Sequence, residues 1–174
     1  MSLDTLISKG ESIDLSGDDI LRICDNKVVI HSYHDLANMD NIDEVLGKYG
    51  ACIILYETKE NFGHWTSLFI RSEGMLEFFD SYGFSMDSEL NYAKYNNTPY
   101  LSNLVKASNY KVVSGSQRLQ KLKYDVNTCG RWNAIRIVLR NLNIAQFYEL
   151  FRNNTHYDGD WFATALTYIY VLKP

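Results

Sequence analysis

The run from residue 51 to residue 80 does most to limit what this chain can fold into. Three strand-like segments, 51–57, 65–71 and 75–80, follow one another with short links, and Ser72-Glu73-Gly74 reads as a hairpin connection between the last two. Ala51-Cys52-Ile53-Ile54-Leu55-Tyr56 is apolar throughout, as expected of a central strand covered on both faces. The hairpin also has a chemical consequence. His64 precedes the second strand and Asp80 ends the third, so antiparallel pairing brings the imidazole close to the carboxylate.

The remaining segments supply helices. Ser16 can cap a short helix whose first turn holds Asp18 and Asp19 and which ends near Cys24. Residues 27–31 read as a brief strand. Residues 39–49 carry Ile42, Val45, Leu46 and Tyr49 at helical spacing, with Gly50 as the stop. Further helices are expected over 86–95, 102–109, 144–152 and 160–170, the last with a β-rich end, and a further strand over 110–113. Residues 1–14 read as a loose lead-in. The pattern predicts an α+β fold over 1–174, a single domain with a short mixed, mostly antiparallel sheet flanked by helices.

Charge and cysteine usage exclude several function classes. A net charge of −4 with both signs mixed gives no argument for nucleic acid or a membrane surface. No apolar run is long enough to cross a bilayer, and the N-terminus lacks a secretory pattern, so a cytoplasmic protein is expected. Cys24, Cys52 and Cys129 are far apart, which suits free thiols in a reducing compartment. Cys24, Cys52, His31 and His34 show no compact ligand spacing, so neither a metal nor another cofactor is expected.

Cys129-Gly130 opens a helical stretch in which Trp132, Ile135, Val138, Leu139 and Leu142 share one face, with Arg131, Arg136 and Arg140 off it. A thiol at a helix start is favoured as thiolate, the nucleophilic form. The free amides of Cys129 and Gly130 can hold an oxyanion that develops on a substrate carbonyl. Gly130, without a side chain, lets substrate approach the backbone. His64 is placed to take the thiol proton, and Asp80 to orient His64. Gln120 can direct its side-chain amide at the same oxyanion, and Gln117 competes for that role.

Gly63-His64-Trp65, Phe79-Asp80-Ser81-Tyr82-Gly83, Leu119-Gln120 and Asn127-Thr128-Cys129-Gly130 occur in the order histidine, acid, glutamine, cysteine. In these motifs the chain resembles cysteine peptidases of the adenain and SUMO-protease type. Thr128-Cys129-Gly130-Arg131-Trp132 and Phe78-Phe79-Asp80-Ser81-Tyr82-Gly83 are particularly similar to proteases ascribed to large DNA viruses. The resemblance spans about residues 15–142. It implies His64 as base, Asp80 as its orienter, Cys129 as nucleophile and Gln120 as oxyanion donor, with Trp65 walling the substrate cleft. One departure stands out: nine positions separate Gln120 from Cys129, more than is usual in that family, so either the intervening loop bulges or the glutamine role is displaced.

The expected activity is that of a thiol-dependent endopeptidase or isopeptidase. Its protein substrate would be a viral structural polyprotein or a ubiquitin-like modifier conjugate, met in host cytoplasm, nucleus or virion. Two other readings use the same residues: an acetyltransferase of the bacterial-effector type, and a catalytically silent binding module. The acidic composition, without a dense basic cluster, disfavours the transferase, which would need a pocket for a polyphosphate activator.

Overall fold

The structure, a computed structural model, describes residues 1–92 and 97–171. Five strands, β1 (Val29–Ser32), β2 (Ala51–Lys59), β3 (Phe62–Ser72), β4 (Met75–Phe79) and β5 (Lys111–Ser114), form one sheet in sequential order. The long central strands β2, β3 and β4 pair antiparallel, and the short outer strands β1 and β5 add parallel to β2 and β4. Among the described residues seven α-helices surround it: α1 (Leu3–Glu11), α2 (Gly17–Ile23), α3 (Ile42–Leu46), α4 (Tyr100–Lys106), α5 (Cys129–Val138), α6 (Ile144–Arg152) and α7 (Gly159–Val171). This is the α+β arrangement that the sequence predicts.

The apolar run of β2 is apolar because both of its faces are covered. Cys52, Ile54 and Tyr56 join Leu68, Leu76 and Phe78 under α3 and α4. Ala51, Ile53 and Leu55 join Trp65 and Phe69 under α2 and α5. The two sets alternate along the strand with period two, so one strand serves two cores. A third cluster, Phe79, Trp132, Ile135, Phe147, Tyr148 and Ala163, ties α5 to α6 and α7.

Ser16 caps α2 in a reciprocal box with Asp19, as its sequence suggests. Elsewhere the boundaries differ. The helix expected over 39–49 is only α3, which stops at Gly47 and leaves Tyr49 exposed. The helix expected over 86–95 is a short 3-10 turn, Ser88–Asn91, and residues 93–95 lie outside the described residues.

The expected loose lead-in is incorrect. Residues 3–11 form α1, capped by Ser2 and packed along α7, with Ile7 2% exposed. A single buried isoleucine in a polar helix gives little periodic signal. The face that buries it comes from α7, more than 150 residues away in sequence.

Helix α5 is also more buried than its spacing implies. Every residue from Cys129 to Ile137 is buried, whereas Val138 is exposed. Arg131 and Arg136, expected off the apolar face, are fully buried. Arg136 forms a two-pronged ion pair with Glu77 of β4, Nε to Oε1 at 2.8 Å and Nη2 to Oε2 at 3.1 Å. Arg131 donates to Thr167 Oγ1 of α7 at 2.7 Å and to the Gly10 carbonyl of α1 at 3.1 Å. Burial pulls the Arg131 guanidinium down to about 10, still charged at neutral pH. The arginines are thus anchors that fix α5 over the hairpin and between the two outer helices.

Candidate active site

The hairpin β3–β4 delivers the histidine and the acid. His64 lies within β3, opposite Tyr56 of β2, and Asp80 is the first residue after β4. A Cβ on Gly63 would meet the Tyr56 carbonyl oxygen at 1.9 Å, so only glycine lets the strands close beside His64. His64 Nε2 is 2.9 Å from Asp80 Oδ1, and both residues are buried. That carboxylate oxygen also accepts the Tyr82 backbone N–H at 2.7 Å, and the Tyr82 ring stacks on the imidazole with centroids 4.6 Å apart.

Helix α5 delivers the thiol. Cys129 is its first residue, and its thiol lies close enough to His64 to raise the imidazole's pKa. With Nε2 committed to Asp80, Nδ1 is the nitrogen left for the thiol. Burial alone would lower the His64 pKa. The hydrogen bonds to Asp80 and Cys129 and the negative charge on both outweigh it and hold the imidazole well above its usual value. An imidazole so placed can take a thiol proton and keep it as imidazolium.

The start of α5 is kept free of a capping side chain. Thr128 occupies the N-cap position but makes no side-chain cap bond; its hydroxyl donates to Asp160 Oδ1 at 2.5 Å. The first-turn amides of a helix have no intrahelical acceptor, so those of Cys129 and Gly130 remain open to an anion. Asp160 is fully buried near the start of α7. It also takes the Trp132 Nε1–H at 2.9 Å and, through Oδ2, the Lys121 N–H at 2.9 Å. One carboxylate thus holds both ends of the segment that separates Gln120 from Cys129.

That segment bulges, the first of the two outcomes that the long spacing allowed. Leu122 and Tyr124 are exposed, while Val126 turns inward. Gln120 is 1% exposed; its Oε1 accepts the Ser81 hydroxyl at 2.7 Å and its Nε2 donates to the Val126 carbonyl at 3.0 Å. A carbonyl can only accept, so the Val126 contact fixes which end of the side chain is nitrogen. One amide hydrogen is used there and one remains. Gln117 is exposed, so of the two glutamines only Gln120 belongs to the buried cluster.

Trp65 donates its indole N–H to the Leu15 carbonyl at 3.2 Å and lines a cavity of about 250 Å³ with Asp14, Leu15, Phe62 and Gly63. Gly130 has a packing role that its sequence position did not suggest. A Cβ there would lie 3.1 Å from both Leu15 Cβ and Trp65 Cδ1, so the glycine admits these two side chains beside the thiol.

Several site neighbours escaped the sequence reading. Asn133, one turn after Cys129, donates to the Cys129 and Trp65 carbonyls, each at 2.8 Å. Its i, i+4 spacing to Cys129 was a usable signal. Glu89, in the turn Ser88–Asn91, brings Oε1 to 3.8 Å from His64 Nε2. Asp160 carried no local signal at all.

His64, Asp80 and Glu89 are the one group among the described residues whose potential ligand atoms, all within 4.8 Å of one another, suit a cation. Asp80 is already the partner of His64 Nε2 within that group, at 2.9 Å. The other cysteines are not part of it. Cys24 lies against the Ala134 carbonyl and Cys52 sits inside β2. Burial pushes each thiol up to about 12. His31 is bonded to the Val45 carbonyl. No helix among the described residues is long and apolar enough to cross a membrane.

Fold and site together define an α+β protein built around a buried cysteine–histidine–aspartate cluster. No protein-family model matches the chain. It belongs to the family of the Sputnik virophage protein named "Uncharacterized protein V9", with which it shares 42% identity over 144 residues, 79% of this chain and 82% of that one.

Proposed function

We propose that the chain is a thiol-dependent peptidase that cleaves a viral structural polyprotein. The observation that carries this reading is His64 held between Asp80 and Cys129, with Cys129 at an uncapped helix start. His64 takes the proton of Cys129, and Sγ attacks the scissile carbonyl carbon. The carbonyl oxygen gains the negative charge, next to the Cys129 and Gly130 amides and the remaining amide hydrogen of Gln120. When the tetrahedral intermediate collapses, the C–N bond breaks and His64 gives its proton to the leaving amine. This leaves a thioester on Cys129. Water, deprotonated by His64, then attacks the thioester, releases the acid and restores the thiol. Asp80 holds the imidazole in the required tautomer and offsets the imidazolium charge.

The relationship to a virophage protein favours particle maturation over deconjugation of a ubiquitin-like modifier. The test is cleavage of an unbiased peptide library, alongside viral structural proteins, with Cys129→Ala and His64→Ala as folded controls. Cleavage by the unchanged chain alone is the expected result. Selective release of a C-terminal-glycine modifier would redirect the substrate assignment. Acetylation of Cys129 by acetyl-coenzyme A without peptide cleavage would overturn the peptidase reading.

A further inference from the structure

The described site leaves one buried acid unused. Glu89 is 7% exposed, and its Oε1, 3.8 Å from His64 Nε2, has no hydrogen-bond partner. Asp80 is in a related position: Oδ1 serves both His64 and the Tyr82 amide, while Oδ2 is buried without a partner. Two carboxyl groups therefore converge on one imidazole nitrogen. Buried polar atoms without partners are uncommon, and two at one nitrogen call for a functional account.

The turn that presents Glu89 is firmly held. Asp87, which precedes it at φ 66°, accepts the hydroxyls of Tyr33 and Tyr56, each at 2.8 Å. Its other oxygen takes the Ser102 amide at 2.9 Å and the Ser102 hydroxyl at 2.5 Å. Glu89 is thus delivered to His64 by a fixed backbone, and a side-chain shift of about 1 Å would bring it to hydrogen-bond length.

We infer that Glu89 is a positioning residue, a second carboxyl partner of His64 that stabilises the imidazolium beside Asp80 and takes over its nitrogen when the Asp80 bond is lost. For activity, this rests on the peptidase reading; for the protonation of His64 it does not. The groups that face His64 are Asp80 and Tyr82 from the hairpin end, Glu89 from the turn and Cys129 from α5, with Asp160 of α7 farther off. Burial and the neighbouring Asp80 raise the Glu89 carboxyl while His64 lowers it, so the charges of Glu89 and His64 depend on each other. A negative charge beside an imidazole favours its charged form, so removing that charge must lower the pH at which His64 loses its proton.

The experiment follows the His64 ring resonances against pH in the full chain carrying Cys129→Ala, which leaves the carboxyl groups as the main partners. Adding Glu89→Gln should lower the His64 midpoint by about one pH unit. Asp80→Asn should lower it too, and the pair together further than either. Glu89→Asp should recover part of the shift. The reciprocal measurement needs no change at Glu89: adding His64→Ala should raise the midpoint of the Glu89 carboxyl carbon. In the chain with Cys129 intact, Asp80→Ala should keep measurable turnover that Glu89→Gln then removes. An unchanged His64 midpoint in Glu89→Gln, or an unchanged Glu89 midpoint in His64→Ala, overturns the inference. If the midpoints move as expected but no chain cleaves any peptide, the Glu89 assignment stands and the peptidase reading falls.

Discussion

The Thr128 hydroxyl donates to Asp160 at 2.5 Å, so the residue that could cap helix α5 is instead turned away from it. Since Asp160 also takes the Trp132 indole and the Lys121 amide, three donors, two of them buried, depend on one side chain. Asp160→Ala would leave all of them without an acceptor. We expect a loss of about 3 kcal/mol or more, measured by denaturant unfolding. Asp160→Asn keeps an acceptor oxygen and should be milder. A loss below about 1 kcal/mol for Asp160→Ala would show that water replaces the carboxylate and that the hub is dispensable.

Thiol chemistry should separate the three cysteines. Burial pushes the Cys24 and Cys52 thiols up to about 12, so at neutral pH they are protonated as well as shielded. Cys129 lies beside His64 and acts on its charge. Dilute iodoacetamide at pH 7 is expected to modify Cys129 far faster than the other two, read by peptide mass mapping. His64→Ala should remove the difference without unfolding the chain. Equal labelling of all three thiols in the folded, unchanged protein would remove the nucleophile assignment.

Gln120→Ala should lower kcat with little change in KM, because the remaining amide hydrogen matters most when the oxyanion has formed. A lost donor of this kind costs about 2.7–4 kcal/mol, on the order of a hundred- to a thousand-fold in rate. The exposed Gln117 gives the control, and Gln117→Ala should be near normal. Because Gln120 also bridges Ser81 and Val126, thermal unfolding must be measured in parallel. A rate loss that simply follows loss of folded protein would reduce Gln120 to a structural brace.

Helix α1 supports the site from behind. The Asn127 backbone amide donates to the Glu11 carbonyl at 2.7 Å and its side chain to the Ser12 carbonyl at 3.0 Å, two residues before Cys129. Ile7→Ala should therefore destabilise the chain by about 2–5 kcal/mol. It should also slow alkylation of Cys129. A change within about 0.5 kcal/mol is the surface-substitution value and would restore the description of residues 1–14 as a loose lead-in.

The parts of the site legible in the sequence are those set by local rules. His64 and Asp80 meet because period-two strands and a tight turn fix a hairpin register over 16 residues. Cys129 and Gly130 mark a helix start, and Gln120 precedes a polar stretch too long to be straight. What stayed hidden depends on distant partners. Arg131 looks like a surface charge until the Gly10 carbonyl and Thr167 surround it. Glu89 looks like a solvated acid in a predicted helix, but the backbone there makes a short turn anchored by Asp87. Asp160 is an unremarked first-turn acid of α7, and only the packing of α7 against α5 gives it donors to collect.

The anchoring of the thiol by α1 and α7 also sets an order on maturation of the newly made chain. The β3–β4 hairpin can pair His64 with Asp80 as soon as it leaves the ribosome, since the contact is local. Thr128 and Trp132 gain their Asp160 acceptor, and Arg131 its second partner Thr167, only when α7 emerges and packs on α1. A nascent chain that stops short of α7 thus carries a histidine and an acid in register, and an α5 held to the sheet by Arg136 and Asn133, but lacks the Asp160 carboxylate that fixes Thr128 just before the cysteine. The surroundings of the cysteine–histidine–aspartate cluster are completed only when the described fold has closed.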